Sequence, residues 1–191
     1  MIHIVDNAAL ILVDVQQGFS ETEYFGGNRN NPDAESNMKK ILDIWRSQNR
    51  PIFHIKHNST EPNSPLRPNQ IGNEIQVDVA PQGDEPLIGK TVNSAFIGTD
   101  LEQRLHDAGI NQVVIVGLTT NHCVSTTTRM AGNLGFDTIL IADATATFDR
   151  LGFDGTLYPA QLIHDTAIAN LHEEFATILN TERLLQSVLN E

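Results

Sequence analysis

The chain has 191 residues, enough for one domain spanning 1–191 that buries roughly 70% of its unfolded surface without disulfides or a structural metal. Its 24 acidic residues outnumber 12 basic ones for a net charge of −12, a field that repels phosphate backbones and excludes nucleic acid as a partner. A single cysteine excludes an intrachain disulfide and a Cys-rich zinc site, and no apolar run approaches the roughly 20 residues of a membrane span.

In chain order, Met1 to Asp6 lacks the basic start and small-residue cleavage site of a signal peptide, so a cytoplasmic location is expected. The run Ala9-Leu10-Ile11-Leu12-Val13-Asp14-Val15 is apolar except for its acid, as a buried parallel strand reads. Met38, Ile41, Leu42 and Trp45 follow helical spacing, and Asn49-Arg50-Pro51 stops that helix. Pro51 to Lys56 is a second strand. The polar stretch from His57 to about Gln82 contains Pro62, Pro65, Pro68 and Pro81; it is too long for a simple connection and reads as a disordered insert or a functional loop.

Pro86-Leu87-Ile88-Gly89-Lys90 is a short strand running into a base. Thr99-Asp100-Leu101-Glu102 reads as a capping box, opening a helix that ends near Ala108-Gly109. Val113 to Gly117 is the next strand, and Cys123 to about Leu134 reads as a helix closed by Gly135. Thr138 to Asp143 is a strand, Pro159 opens a helix to about Glu174, and Phe175 to Leu179 is a last strand before a helix capped by Thr181. Such alternation predicts right-handed βαβ units: a three-layer α/β/α, doubly wound and mostly parallel six-stranded sheet in the order 3-2-1-4-5-6.

In open α/β sheets, ligands bind beyond the carboxyl ends of the strands, near the switch in strand order. Asp14, Lys90 and Cys123 all fall at such ends, so three sequence-distant reactive groups converge on one crevice. A lone cysteine is otherwise read as a small buried hydrophobe. Here it follows the strand-to-helix turn Gly117-Leu118-Thr119-Thr120-Asn121-His122-Cys123-Val124, where a helix N-terminus is expected to lower a thiol pKa and to offer N–H groups to an oxyanion. Asp14 is the candidate proton acceptor and donor, with Lys90 orienting the pair and balancing its charge.

Four fragments carry a family resemblance: Leu10 to Gln16; Lys90-Thr91-Val92-Asn93-Ser94-Ala95-Phe96; Val116 to Val124; and Ala142-Asp143-Ala144-Thr145. Their order and placement resemble the isochorismatase-like cysteine hydrolases across nearly the whole chain. The resemblance implies a catalytic triad of Asp14, Lys90 and Cys123, and a cis peptide at Leu118–Thr119. That bond would bring the Thr119 N–H beside the Cys123 N–H as an oxyanion hole. It also implies a homo-oligomer and a small-molecule substrate.

Other residues have competing readings. Phe19, Asn93 and His122 are candidates for the substrate pocket, and Phe96 is core or pocket wall. His122 tempts one toward a Cys–His dyad, but adjacent positions at a helix start point apart. His164 and His172 read as surface or helix-packing residues. His54 and His57 raise a metal hypothesis, since nicotinamidases of this superfamily hold a metal through an Asp-x-His pair and a further His. Ile52 stands two positions before His54 and breaks that pattern, so neither a metal nor another cofactor is expected. The segment from Phe148 to Tyr158 would cover the site, contact a neighbouring subunit, or simply connect.

The leading expectation is hydrolysis of a small amide, carbamoyl or related C–N bond through a thioester on Cys123. The alternatives are an isochorismatase-type vinyl-ether hydrolase that uses Asp14 without a covalent step, and a non-catalytic binding protein on the same fold.

Overall fold

The fold was analysed in a computed structural model that describes residues 3–189. The expectations that touch Met1, Ile2, Asn190 and Glu191 lie outside the described residues. Strands β1 (Ala9–Val13), β2 (Ile52–His57), β3 (Leu87–Lys90), β4 (Gln112–Leu118), β5 (Asp137–Ala146) and β8 (Thr177–Leu179) form one parallel sheet, ordered β3-β2-β1-β4-β5-β8. With β8 as its sixth member, this is the expected doubly wound topology. Two further strands, β6 (Arg150–Leu151) and β7 (Leu157–Tyr158), pair antiparallel as a separate hairpin within the segment read as a loop. Leu151 and Phe153 of that hairpin are exposed. No described helix is long and apolar enough to cross a membrane.

The period-two alternation of β1 explains the layers. Leu10 and Leu12 face one apolar cluster, with Met38, Ile41, Leu42 and Trp45 of α2 (Ala34–Ser47) and Leu184 and Val188 of α6 (Thr181–Leu189). Ala9, Ile11 and Val13 face the opposite cluster. It holds Leu101 and Leu105 of α3 (Leu101–Asp107), Ala131 of α4 (Ser125–Asn133) and Leu171 of α5 (Ala160–Leu171). Trp45 is fully buried and its indole N–H donates to the Ala8 carbonyl at 3.0 Å, so its polar atom is satisfied inside the core. A one-turn helix, α1 (Thr22–Phe25), precedes α2.

Strand β1 lies between β2 and β4, and the chain winds outward from it in both directions; the switch therefore falls between β1 and β4. Close approach there depends on Gly117, whose φ is +132°. A Cβ at this position would lie 2.0 Å from the Val13 carbonyl oxygen.

Several local expectations are corrected. Asp100, not Thr99, is the N-cap of α3; Thr99 Oγ1 donates to the Ala95 carbonyl and accepts from the Leu101 N–H at 3.4 Å, not from Glu102. The Asp100 carboxylate is drawn to Arg104 one turn on, so no reciprocal capping box forms. At α6, Asn180 Oδ1 accepts from the Arg183 N–H, while Thr181 donates to Asp143 through both its N–H and its hydroxyl. Asn180 therefore caps that helix, and the Asp143 of the fourth motif anchors it. Helix α5 ends at Leu171, before the expected Glu174.

The segment after β2 is ordered. It carries short 3₁₀ turns at Ile71–Asn73 and Val77–Val79, with Gln16 as its clamp. The fully buried Gln16 amide donates to the carbonyls of His57 and Asn73 and accepts from the His57 N–H. Asn73 Nδ2 adds bonds to the His57 and Leu66 carbonyls. This wall of loop is thereby fixed against the end of β2.

Candidate active site

The site lies beyond the carboxyl ends of β1, β2, β3 and β4. Asp14 follows β1 directly and takes φ = +53°, a left-handed conformation that Asp tolerates better than most side chains. Its carbonyl accepts from the Gln16 N–H at 2.8 Å, which turns the chain there. Lys90 is the last residue of β3 and reaches back across the sheet, its Nζ 2.5 Å from Asp14 Oδ2. Both side chains are buried, 0% and 1% exposed for Lys90 and Asp14. Removing two ions from water is costly unless they meet, so this pair fixes each partner's place. The second carboxylate oxygen, Asp14 Oδ1, is buried without a hydrogen-bond partner among the described residues.

Cys123 completes the group. The thiol and the nearest donor atoms of Asp14 and His57 all lie within 4.8 Å of one another. Cys123 does not open an α-helix, as the sequence reading had it; it sits within a π-helical turn, Thr120–Val124, which leads into α4. Single π turns recur at functional sites because the wider loop re-aims one side chain. The Leu118–Thr119 peptide is cis, and the Thr119 carbonyl accepts from the N–H groups of His122 and Val124 at 3.1 and 3.3 Å.

Electrostatics also depart from expectation. Burial pushes the Cys123 thiol above its ordinary range, the Asp14 carboxylate adds to that, and Lys90 opposes it. Cys123 therefore rests as a thiol, and a base must take its proton when it attacks.

Among the other candidates, Asn93 Oδ1 accepts from Cys123 Sγ at 3.8 Å. His122 is half-buried and its Nδ1 pairs with Thr119 Oγ1 at 3.2 Å, so no dyad forms between Cys123 and His122. Burial, and then the Arg150 charge, lower its pKa, so it is neutral near pH 7. Phe19 is 4% exposed and packs on Phe25 and Phe148, with ring centroids 4.6 and 6.3 Å away. Phe96 is buried and stacks on Phe136. His164 is not a surface residue: its Nδ1 lies 3.0 Å from Thr120 Oγ1, which joins α5 to the π turn. His172, beyond the end of α5, is exposed.

The two histidines of β2 have separate places. His54 is buried with its Nε2 2.8 Å from Glu85, itself paired with Arg46. His57 stands at the site, its Nδ1 3.2 Å from Lys90 Nζ. The sequence reading did not place it there. Strand register was the missing signal, since His57 and Lys90 are direct partners across β2 and β3. The nicotinamidase metal pattern does not fit this chain: Ile52 and Ile55 stand where each histidine would need an aspartate, so no step is drawn through a metal.

The chain is similar to known proteins over nearly its whole length. The Isochorismatase domain model matches residues 8–183. An uncharacterised isochorismatase family protein of Bacillus subtilis (strain 168) is 50% identical over 184 residues, covering 96% of this chain and 97% of its own. Nicotinamidase 3 of Arabidopsis thaliana is 28% identical over 197 residues, covering 95% of this chain and 89% of the relative. A solved isochorismatase-family hydrolase from Chromobacterium violaceum ATCC 12472 superposes with a TM-score of 0.94 at 37% identity, covering 100% of this chain and 98% of that one. The chain belongs to the isochorismatase family and is a hydrolase of that family.

Proposed function

We propose that the protein hydrolyses a small amide or related C–N bond through a thioester on Cys123. One observation carries this reading: a buried thiol shares a 4.8 Å cluster with a carboxylate whose one oxygen is held by Lys90 and whose other is unpartnered. That is the arrangement of a nucleophile beside a base with a lone pair to spare. The likeness to a nicotinamidase supports an amide as substrate.

Asp14 Oδ1 takes the thiol proton as Sγ bonds to the substrate carbonyl carbon. The N–H groups of Thr119 and Cys123 receive the oxygen of the tetrahedral intermediate. Collapse breaks the C–N bond, and the departing amine takes the proton from Asp14. Water then attacks the thioester and gives one proton to Asp14. The C–S bond breaks, the thiol regains its proton, and the acid leaves. Lys90 holds the Asp14 carboxylate in place between steps, Asn93 and His122 face the substrate, and Phe19 supports the wall behind them. A small-molecule substrate and a cytoplasmic homo-oligomer belong to the same reading.

The test is ammonia release from a panel of small primary amides, nicotinamide among them, with Cys123→Ala as control. Turnover that needs the thiol is expected; equal turnover by Cys123→Ala would remove the covalent step, whereas cleavage of a vinyl ether with no ammonia from any amide would favour the vinyl-ether route, which leaves Cys123 idle.

A further inference from the structure

Among the described residues, His57 is a titratable neighbour of the site that the reaction above leaves unused. It lies at the carboxyl end of β2, opposite Lys90 in register, and its backbone is held on both sides. Its N–H donates to Gln16, and its carbonyl accepts from Gln16 and Asn73. A side chain anchored so firmly presents its ring at a fixed place. Its Nδ1 faces Lys90 Nζ at 3.2 Å. Lys90 can only donate, so Nδ1 must be the unprotonated nitrogen and the other carries the hydrogen. The charged groups that face the ring are Lys90 and Asp14, with the Cys123 thiol beside them. Lys56, next along β2, is paired instead with Glu74.

A metal would also find three donors in Asp14, His57 and Cys123. Nδ1 is already engaged by Lys90, which holds a positive charge against the same carboxylate. The arrangement is that of a second anchor for an amine. One acceptor, Asp14 Oδ2, sets the distance of the ammonium; a second sets its direction. We propose, on the basis of the triad reading above, that His57 is a positioning residue: as a neutral imidazole it accepts from Lys90 through Nδ1 and holds the ammonium where it orients Asp14 toward Cys123.

The conservative replacement is asparagine, whose amide oxygen can reach the place of Nδ1. Glutamine reaches the place of Nε2 and cannot serve Lys90 in the same way. Burial, and then the Lys90 charge, lower the pKa of His57, so the neutral form holds near pH 7. Acidification would charge the ring, remove the acceptor and place a second cation beside Lys90. The same variants therefore differ in their pH profiles.

The experiment measures two things in the full-length protein. One is the rate at which iodoacetamide alkylates Cys123, the only cysteine of the chain, between pH 5 and 9; the other is kcat and KM on an amide from the panel above. His57→Leu is expected to slow alkylation and lower kcat by about 10- to 100-fold with KM within about twofold, the scale of a displaced catalytic group. His57→Asn should recover most of both rates and keep them to lower pH than the native protein. His57→Gln should resemble His57→Leu, and it decides the matter if the leucine variant fails to fold.

Native-like rates in His57→Leu and His57→Gln would overturn the proposal, as would an asparagine variant as slow as the glutamine one. So would a Cd²⁺–thiolate absorption band that forms in the native protein and needs His57, since the ring would then be a ligand. Unchanged turnover in Cys123→Ala would instead sink the covalent reading, while the alkylation rates still report whether His57 holds Lys90.

Discussion

Two carboxylate clusters lie on the same half of the sheet, one half-buried around Glu85 and one buried around Asp14, and they differ in which atom is left unsatisfied. Glu85 meets Arg46 with both oxygens, at 2.7 and 2.8 Å, and Glu85 Oε2 also faces His54 Nε2 and the Gln82 N–H. Asp14 meets Lys90 with one oxygen and keeps the other bare, beside a thiol. Either cluster, seen only as a list of His, Asp, Glu, Lys and Arg, could be taken for an active site. The Glu85 carboxylate is fully paired and the bare atom of its group is His54 Nδ1, whereas the Asp14 group leaves bare a carboxylate oxygen beside a thiol, where a base can act. The comparison assigns chemistry to the β1–β3–β4 ends and structure to the His54–Glu85–Arg46 group.

The comparison would break most visibly at the two carboxylates and the thiol. Cys123→Ala and Asp14→Asn should each lower kcat on the order of 10⁴-fold, because members of such a unit fail together. Glu85→Gln should leave kcat within about twofold of native. Steady-state kinetics on the three variants decides this, and a large activity loss in Glu85→Gln would erase the distinction.

Stability tests the same two clusters through their ion pairs. Lys90→Met strands the buried Asp14 charge and should destabilise by about 3 to 5 kcal/mol, measured by chemical denaturation. Glu85→Gln gives up hydrogen bonds to a charged partner and should cost about 1.5 to 3 kcal/mol.

The smallest effects are those of pH. Burial would raise the Glu85 carboxyl, but Arg46, the Gln82 N–H and His54 hold it down at about 2. A lowered folded-state pKa makes the unfolded chain the better proton binder, so this stabilisation is complete above about 4.5 and drains away as pH falls toward about 2. His54, His57, His122 and His164 are all lowered from 6.5, with burial as the first cause in each. Their unfolded forms take protons first, so the melting temperature should begin to fall as pH drops below about 6.5. A melting temperature that rises on acidification through that window would contradict the neutral assignment.

The sheet order and the three reactive residues at strand ends were legible because a buried parallel strand announces itself as an unbroken apolar run. Asp14, Lys90 and Cys123 each interrupt or follow such a run at the end where ligands bind. His57 was not legible as a partner of Lys90, since inter-strand register is a tertiary property that spacing along one strand does not contain. Likewise, the resting state of Cys123 follows from its burial and its distance to Asp14, while the sequence shows only a strand-to-helix turn. Thr181 and Thr99 misled for a simpler reason: each has a cap-like hydroxyl, but a neighbour, Asn180 or Asp100, occupies the capping position.

The central claim concerns the bond that Cys123 forms. Acid-quenched turnover of an accepted amide, followed by intact-protein and peptide mass spectrometry, reads it directly. The expected result is an adduct of the acyl mass on the Cys123 peptide, absent from Cys123→Ala and sharply reduced in Asp14→Asn. Turnover that proceeds at the native rate with no adduct at any time point, and equally in Cys123→Ala, would contradict it.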